Sequence, residues 1–307
     1  MTAQEKRLKR PPRLFQRRLL AVSLEGNSLR LLSFWGGSPE YWGSVPFNPR
    51  FLRNGYVGDA EGLGEMVIST LRSRSLLPAR LFCSFPGLAA LTRILTLPAF
   101  RGLDLEGVVV REARRQMAVS PESHYLLWRV LPGKGARRVF VAACLRESLQ
   151  ALLVVFDRGG LKLERLDLRA LALARCVRRR EAILVHVESN SVELAVVREG
   201  FPALTRSLFL GDEPLPWEQI SARVIEEVGR TVSFYGETYG EPLAEDVPLY
   251  LTGGLAGLSG LADDLAAAAG HPLAPLESPL PLPPDPEFSL ALFMVNIGLL
   301  LRPLGKG

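Results

Sequence analysis

The sequence predicts a two-lobed α/β protein, built from one duplicated unit with a subdomain inserted after the first copy. Three observations carry that reading. A hairpin-forming segment recurs 163 residues further along the chain, strand and helix periods follow each copy, and the stretch between the copies has a β-α-β-β-α-β order of its own. The segment Val22-Ser-Leu-Glu-Gly-Asn-Ser-Leu-Arg-Leu-Leu32 aligns with Val185-His-Val-Glu-Ser-Asn-Ser-Val-Glu-Leu-Ala195, sharing Val, Glu, Asn, Ser and Leu at equivalent places. Each copy is an apolar strand, a polar Glu-x-Asn-Ser tip and a second apolar strand, the pattern of a β-hairpin.

After the first hairpin, Leu63, Met66, Val67 and Leu71 recur at helical spacing and predict a helix over 61–77; Arg80–Phe85 then reads as a strand closed by Pro86-Gly87. In the insertion, residues 94–97 read as strand and 104–117 as helix, with Leu105, Val108, Val109 and Ala113 on one side. Ser120-Pro121 has the chemistry of another helix start. Residues 125–131 and 138–144 are strands about the turn Pro132-Gly-Lys-Gly135, followed by a helix over 149–156 and a strand over 161–166. The second hairpin leads into a strand and turn over 202–211 and a long helix over 216–239. A strand over 247–251 ends in Thr252-Gly253-Gly254, and a helix follows over 258–269. The proline-rich stretch 275–286 reads as a rigid connector to a terminal apolar helix over 290–301, which carries Asn296. The expected organisation is a basic, disordered arm over 1–17, the first lobe over 18–85, and the insertion over 86–166. A return helix over 167–181, the second lobe over 182–287 and the terminal helix and tail over 288–307 complete it.

Length and composition agree with this plan. The 307 residues, 48% hydrophobic and 22% charged, are enough for two buried cores and exclude a disordered chain. No apolar run reaches the ~18–20 residues of a membrane span. The net charge of +5 is concentrated in residues 1–18, which hold Lys6, Arg7, Lys9, Arg10, Arg13, Arg17 and Arg18 against Glu5; the remaining chain is nearly neutral. An arm of that kind is a solvated tail or a weak contact for acidic lipid through residues 6–18. The body has no basic-aromatic interleaving, so nucleic acid is not an expected partner. Cys83, Cys144 and Cys176, like His124, His186 and His271, are too scattered for a disulfide framework, a metal knuckle or a Cys–His pair. No GxSxG or GxxxxGK[ST] motif is present. Neither catalytic residues nor a metal site are expected.

Over residues 18–302 the order of these pieces resembles the actin-like ATPase superfamily, and within it the PilM family of type IV pilus assembly, related to FtsA. The pieces that carry the resemblance are the Leu97-Pro98 step into the insertion, the strand Arg206-Ser-Leu-Phe-Leu-Gly211, and Val228-Gly-Arg-Thr-Val-Ser-Phe-Tyr235, which is similar to the family's EI.RS..FY helix. The turn Leu251-Thr-Gly-Gly-Leu-Ala-Gly-Leu-Ser-Gly-Leu261 resembles the family's adenosine-side turn. The resemblance implies a duplicated ribonuclease H-like fold with an inserted subdomain, and a nucleotide cleft between the two hairpin tips. The residues at that cleft are Ser23, Glu25, Gly26, Asn27 and Ser28, then His186, Glu188, Ser189, Asn190 and Ser191, and Gly253 and Gly254 beside them.

ATP-binding members carry Asp-x-Gly at both hairpins, the aspartate helping to hold the hydrated metal and the glycine admitting phosphate to the backbone. Here those triplets read Ser23-Leu24-Glu25 and His186-Val187-Glu188. Two carboxylates would then face a polyphosphate, at about 4 kcal/mol per like-charge pair for ~4 Å and an effective dielectric of ~20. Glu25 and Glu188 are expected to face one another across the degenerate cleft with a basic side chain or water between them. The Asn-Ser pairs and the Gly-Gly turn fit an anion or, equally, ordinary hairpin tips and a strand end.

The expectation is therefore a pseudo-ATPase without a cofactor, with ATP bound only if the degenerate cleft still holds it. What the resemblance implies is a cytoplasmic scaffold in the assembly platform of a type IV pilus or a related secretion or competence filament. It would lie peripherally at the inner face of the cytoplasmic membrane and bind the N-terminal cytoplasmic peptide of a PilN-like single-pass membrane protein, with self-association open. The groove for that peptide is expected between the first lobe and the insertion, walled by Phe85, Pro86 and the arginines Arg111, Arg114 and Arg115. The alternatives are an active actin-like ATPase binding Mg·ATP and an FtsA-like membrane tether.

Overall fold

The computed structural model describes residues 17–98, 104–133, 136–213, 215–258 and 260–301. Almost all of the basic arm, part of the Pro132–Gly135 turn and the tail beyond 301 lie outside the described residues. In chain order the first lobe opens with β1 (Leu19–Glu25), β2 (Ser28–Trp35) and β3 (Ser38–Pro46), an antiparallel meander. A short ribbon, β4 (Leu52–Arg53) and β5 (Tyr56–Val57), leads to α1 (Ala60–Ser73), capped by Asp59, and to β6 (Arg80–Phe85). The insertion supplies β7 (Ala90–Thr96), α2 (Leu105–Met117) capped by Asp104, β8 (His124–Val130), β9 (Arg138–Leu145), α3 (Arg146–Arg158) and β10 (Leu163–Leu168). After α4 (Arg169–Val177) come β11 (Glu181–Val187), β12 (Ser191–Arg198), β13 (Phe201–Phe209) and α5 (Trp217–Tyr239). The chain ends with β14 (Leu249–Thr252), α6 (Leu261–Ala269) and α7 (Leu290–Leu300).

The strands form a five-stranded sheet, β10-β6-β1-β2-β3, and a seven-stranded sheet, β14-β11-β12-β13-β7-β9-β8. The repeat read from sequence is a repeat of register. Val22 pairs with Leu31 and Cys83; 163 residues on, Val185 pairs with Leu194 and Leu251. The third strand of each meander obeys the same offset, although β3 is not legible beforehand, because its two prolines and one glycine mask an edge strand that is half exposed.

The order of elements in the insertion is as expected, but its boundary is not. β10 pairs in parallel with β6 of the first sheet, and α3 packs its Leu152, Val155 and Phe156 into the first lobe's core. The inserted unit is therefore β7-α2-β8-β9, and the last helix and strand return to the first lobe. Ser120-Pro121 starts no helix: Ser123 and His124 donate back to the Ser120 carbonyl, closing a turn into β8. The inserted sheet joins the second lobe edge to edge at β13 and β7, where Thr92 N donates to Thr205 Oγ1 (2.8 Å) and Thr92 Oγ1 to the Pro202 carbonyl (2.6 Å). Tyr239 Oη bridges the same seam, accepting from Ile94 N and donating to the Ala203 carbonyl.

Alternation along the hairpin strands distributes their side chains among three of the cores. Leu20, Val22, Leu29 and Leu31 face α1 and α3; Ala21, Leu32 and Phe34 face the opposite way, toward α4 and α7. Those two helices lie between the sheets, since Ala182, Leu184, Ala195 and Val197 of the second sheet share that core. Ile183, Val185, Val192 and Leu194 pack on α5 and α6. The apolar α7 is buried from Phe293 to Leu299 on every side, which explains a helix with no polar face. Gly298 is required there, because a Cβ would lie 2.1 Å from the Ala172 carbonyl oxygen of α4. No helix of the described residues is long and apolar enough to cross a membrane.

Asn296, fully buried in α7, donates to the Ala21 and Arg30 carbonyls (3.2 and 3.1 Å) and accepts from Ser23 Oγ (3.2 Å), tying the helix to β1 and β2. Asn296→Ala removes all three bonds and is expected to lower stability by about 1–3 kcal/mol, read as a shift in the urea midpoint.

Candidate functional site: the cleft between the hairpin tips

The repeated register brings the two tips together. β1 ends at Glu25 and turns through Gly26 at φ +56°, where a Cβ would lie 2.8 Å from Ser189 Oγ of the opposing tip. Glu188 follows β11, its N–H donating to the Ser191 carbonyl, and the turn after β14 closes over it as Gly254 N donates to Glu188 Oε1 (2.9 Å). Gly253 needs its φ of +102°, since a Cβ there would strike the Val187 carbonyl at 2.3 Å.

Five charged side chains and one histidine fill the space between the lobes. Arg30 of β2 holds Glu188 with two bonds of 2.6 Å and also donates to the Leu292 carbonyl of α7. Arg169, the first residue of α4, lies between Glu25 (2.9 Å) and Glu193 of β12 (3.1 Å). His186 Nε2 sits 3.2 Å from Glu25 and 3.3 Å from Glu188, and Nδ1 is 2.9 Å from Thr252 Oγ1. All six are less than a tenth exposed.

Burial alone would raise both tip carboxyls, but Arg169 and the His186 bond hold Glu25 below its ordinary value, and the His186 bond and Arg30 hold Glu188 at about 2. Burial opposes charge on His186 too, yet its bonds to Glu188 and Glu25 raise it. At Glu193 burial outweighs Arg169, and that carboxyl is raised.

Chemically, the space between the tips is occupied by carboxylates already paired with guanidinium. The cavity beneath the first tip, lined by Gly26, Pro86, Arg169, Asn190 and Ser191 among others, has about 30 Å³ of free volume, room for about one water. Glu25, His186 and Glu188 place ligand atoms within 4.8 Å of one another, which is compact enough for a metal ion. Each carboxylate, however, accepts from an arginine at 2.6–2.9 Å, and a divalent cation among them would face two guanidiniums. The carboxylates that could serve an ion are thus already engaged by arginine in a buried charge cluster.

The sequence-read residues Glu25, Gly26, His186, Glu188, Ser189, Gly253 and Gly254 converge here, and the side chain between the two tip glutamates is His186, with one arginine pairing each glutamate from outside. Ser23 instead bonds Asn296, while Asn27 and Ser28 are tip backbone, the Asn27 carbonyl accepting from Phe47 N. Arg30, Arg169 and Glu193 are not among the residues that the sequence pattern singles out. Their signal is a lone charge in an apolar strand or helix start, and Arg30 and Glu193 occupy the same place in the two repeats.

A second cleft, of about 440 Å³, opens between the first lobe and the inserted sheet. Tyr125, Leu127, Phe140 and Cys144 wall one side; Phe85, Leu166, Leu168 and Leu171 wall the other. Phe85 is where the sequence reading puts it, but Pro86 lies in the small cavity under the first tip. Arg111, Arg114 and Arg115 are not in the groove. The α2 helix packs Val109 and Ala113 on Val139, Val141 and Ala143, whereas the groove is faced by the alternate residues Phe140, Ala142 and Cys144. Arg114 and Arg115 pair with Glu122 and Glu112 on that far face.

Two repeated meanders with helices between and outside the sheets, closing on a cleft at the hairpin tips, define the actin-like ATPase fold. No family model matches the chain, and no curated protein matches it. Among solved structures it is similar to the PilM-PilN type IV pilus biogenesis complex, at 20% identity and a TM-score of 0.72 over 92% of this chain and 97% of that one. It is also similar to the cytoplasmic domain of EpsL, an inner membrane component of the type II secretion system of Vibrio cholerae, at 13% identity, TM-score 0.53, over 93% and 96%. A Bacteroides thetaiotaomicron protein with an actin-like ATPase fold and unknown function aligns at 10% identity and TM-score 0.50, over 93% and 96%.

Arg30→Met leaves Glu188 buried without its guanidinium and is expected to destabilise the protein by roughly 3–5 kcal/mol in urea titrations at pH 7. Because the pKa of Glu188 is depressed, the stabilisation from its pair is complete above its ordinary value of 4.5 and is lost as pH falls toward about 2. The gap between wild type and variant should therefore narrow across that window.

Proposed function

We propose that this protein is a cytoplasmic scaffold in the assembly platform of a type IV pilus or a related secretion or competence filament. It binds the cytoplasmic N-terminal peptide of a PilN-like single-pass membrane protein and does not hydrolyse ATP. One observation carries the reading: the cleft between the tips is filled by paired charges, while the apolar cleft beside the inserted sheet stays open. The similarity to the PilM-PilN complex over nearly the whole of both chains supports a partner of that kind. The groove suits an apolar peptide held in extended form, since β8 is the free edge of its sheet and Leu127 on it is 62% exposed. A terminal-helix tether gains no support, because α7 is buried on all sides.

The test is binding of N-terminal peptides from single-pass membrane proteins encoded beside this one. One of them is expected to bind at micromolar concentration and to lose at least tenfold, about 1.4 kcal/mol, with Leu127→Asp, while Arg111→Glu on the far face leaves binding intact. Failure of every neighbouring peptide would remove the scaffold reading. Calorimetry with Mg·ATP is expected to show no saturable binding at micromolar concentration; such binding would favour the working ATPase instead.

A further inference from the structure

The charges between the tips do not balance as they stand. Glu25, Glu188 and Glu193 bring three carboxylates against the guanidiniums of Arg30 and Arg169, in a space closed to solvent. An uncompensated buried charge is costly, so the cluster calls for one added proton. His186 is the group in contact with two of the carboxylates at once. Its other nitrogen faces Thr252 Oγ1, which donates onward to the Val185 carbonyl and so is free to accept from the ring. A ring protonated on both nitrogens satisfies every one of these contacts in a single orientation.

We propose that His186 is the protonated keystone of a lobe clasp, in which Arg30, Arg169 and the imidazolium hold the two tips together where nucleotide would otherwise bridge them, and that the clasp loosens when the ring loses its proton. The groups touching the ring are Glu25 from β1, Glu188 from the second tip and Thr252 from β14; Glu193 of β12 is its cross-strand partner, and Arg30 of β2 and Arg169 of α4 pair with the carboxylates around it. Cys83 of β6 lies beside Glu25 and stays a thiol, since burial pushes it up. Glu193, raised by burial, is the competing place for the proton. The raised pKa of His186 sets the direction. The ring's stabilisation is complete below its ordinary value of 6.5 and is lost as pH rises through the value in the folded protein.

The chain has three histidines, His124, His186 and His271, so ring signals of the ¹³C,¹⁵N-histidine-labelled protein are separable by NMR, with His186→Gln as the assignment control. The expected result is an imidazolium signature for His186 at pH 7.5, with deprotonation at alkaline pH accompanied by faster amide exchange at residues 24–28 and 187–191. Glu188→Gln removes one negative charge, and should lower the ring's titration midpoint by about one pH unit or more, a tenfold change in proton affinity, and abolish the alkaline rise in exchange. A neutral ring at pH 7.5 would put the proton on Glu193 and overturn the proposal. So would an imidazolium whose loss leaves tip exchange unchanged. Neither result depends on whether a membrane peptide binds the apolar groove.

Discussion

The lobes are held at their tips by the Arg30–Glu188 pair, and most of what is distinctive about this chain follows from it. The pair bridges the first hairpin and the second tip with two short parallel bonds at nearly complete burial. Taking both ions out of water is expensive, and the cost is offset only because further hydrogen bonds reach the same groups: Gly254 N donates to the carboxylate, and the Leu292 carbonyl accepts from the guanidinium. Arg169 does the same for Glu25 and Glu193.

Duplication makes the arrangement geometrically easy. Because the two meanders share one register, Glu25 and Glu188 occupy equivalent places and meet as like charges across the pseudo-symmetric junction. The symmetry is broken five residues on, where one copy has Arg30 and the other Glu193. With arginine in both copies, Arg169 would lose one of its carboxylates and meet a third cation. With glutamate in both, Glu188 would lose its pair. The opposite signs at that single repeated position turn a repulsive contact into an attractive one.

How far this was readable in advance differs by element. The strands with continuous apolar runs, the long helices with one apolar face and the repeated Glu-x-Asn-Ser tips all have strong local signals, and they fold as read. β3 does not, because an exposed edge with prolines has no apolar period to detect. The return of α3 and β10 to the first sheet is invisible for another reason: strand pairing is non-local, and nothing in residues 146–168 distinguishes β6 from β9 as a neighbour. The two tip glutamates were legible as a departure from the resemblance, but the arginines opposing them needed the sheet register to be found. The α2 arginines misled because charge on a helix face reports exposure, and not which side of a sheet the helix covers.

The two clefts are not mechanically independent, because α4 belongs to both. Its first residue, Arg169, lies in the charge cluster, and Leu171 and Arg175, within the next two turns, reach the apolar groove. Arg175 is itself fixed, donating to Asp167 and to the Gly298 carbonyl of α7. The contact between α4 and α7 is so close that no side chain fits at Gly298, and α7 is in turn pinned to β1 and β2 through Asn296. Close-packed interiors transmit displacement and do not absorb it. Arg169 in the charge cluster and Leu171 and Arg175 in the groove thus belong to one helix, which α7 holds against the first sheet.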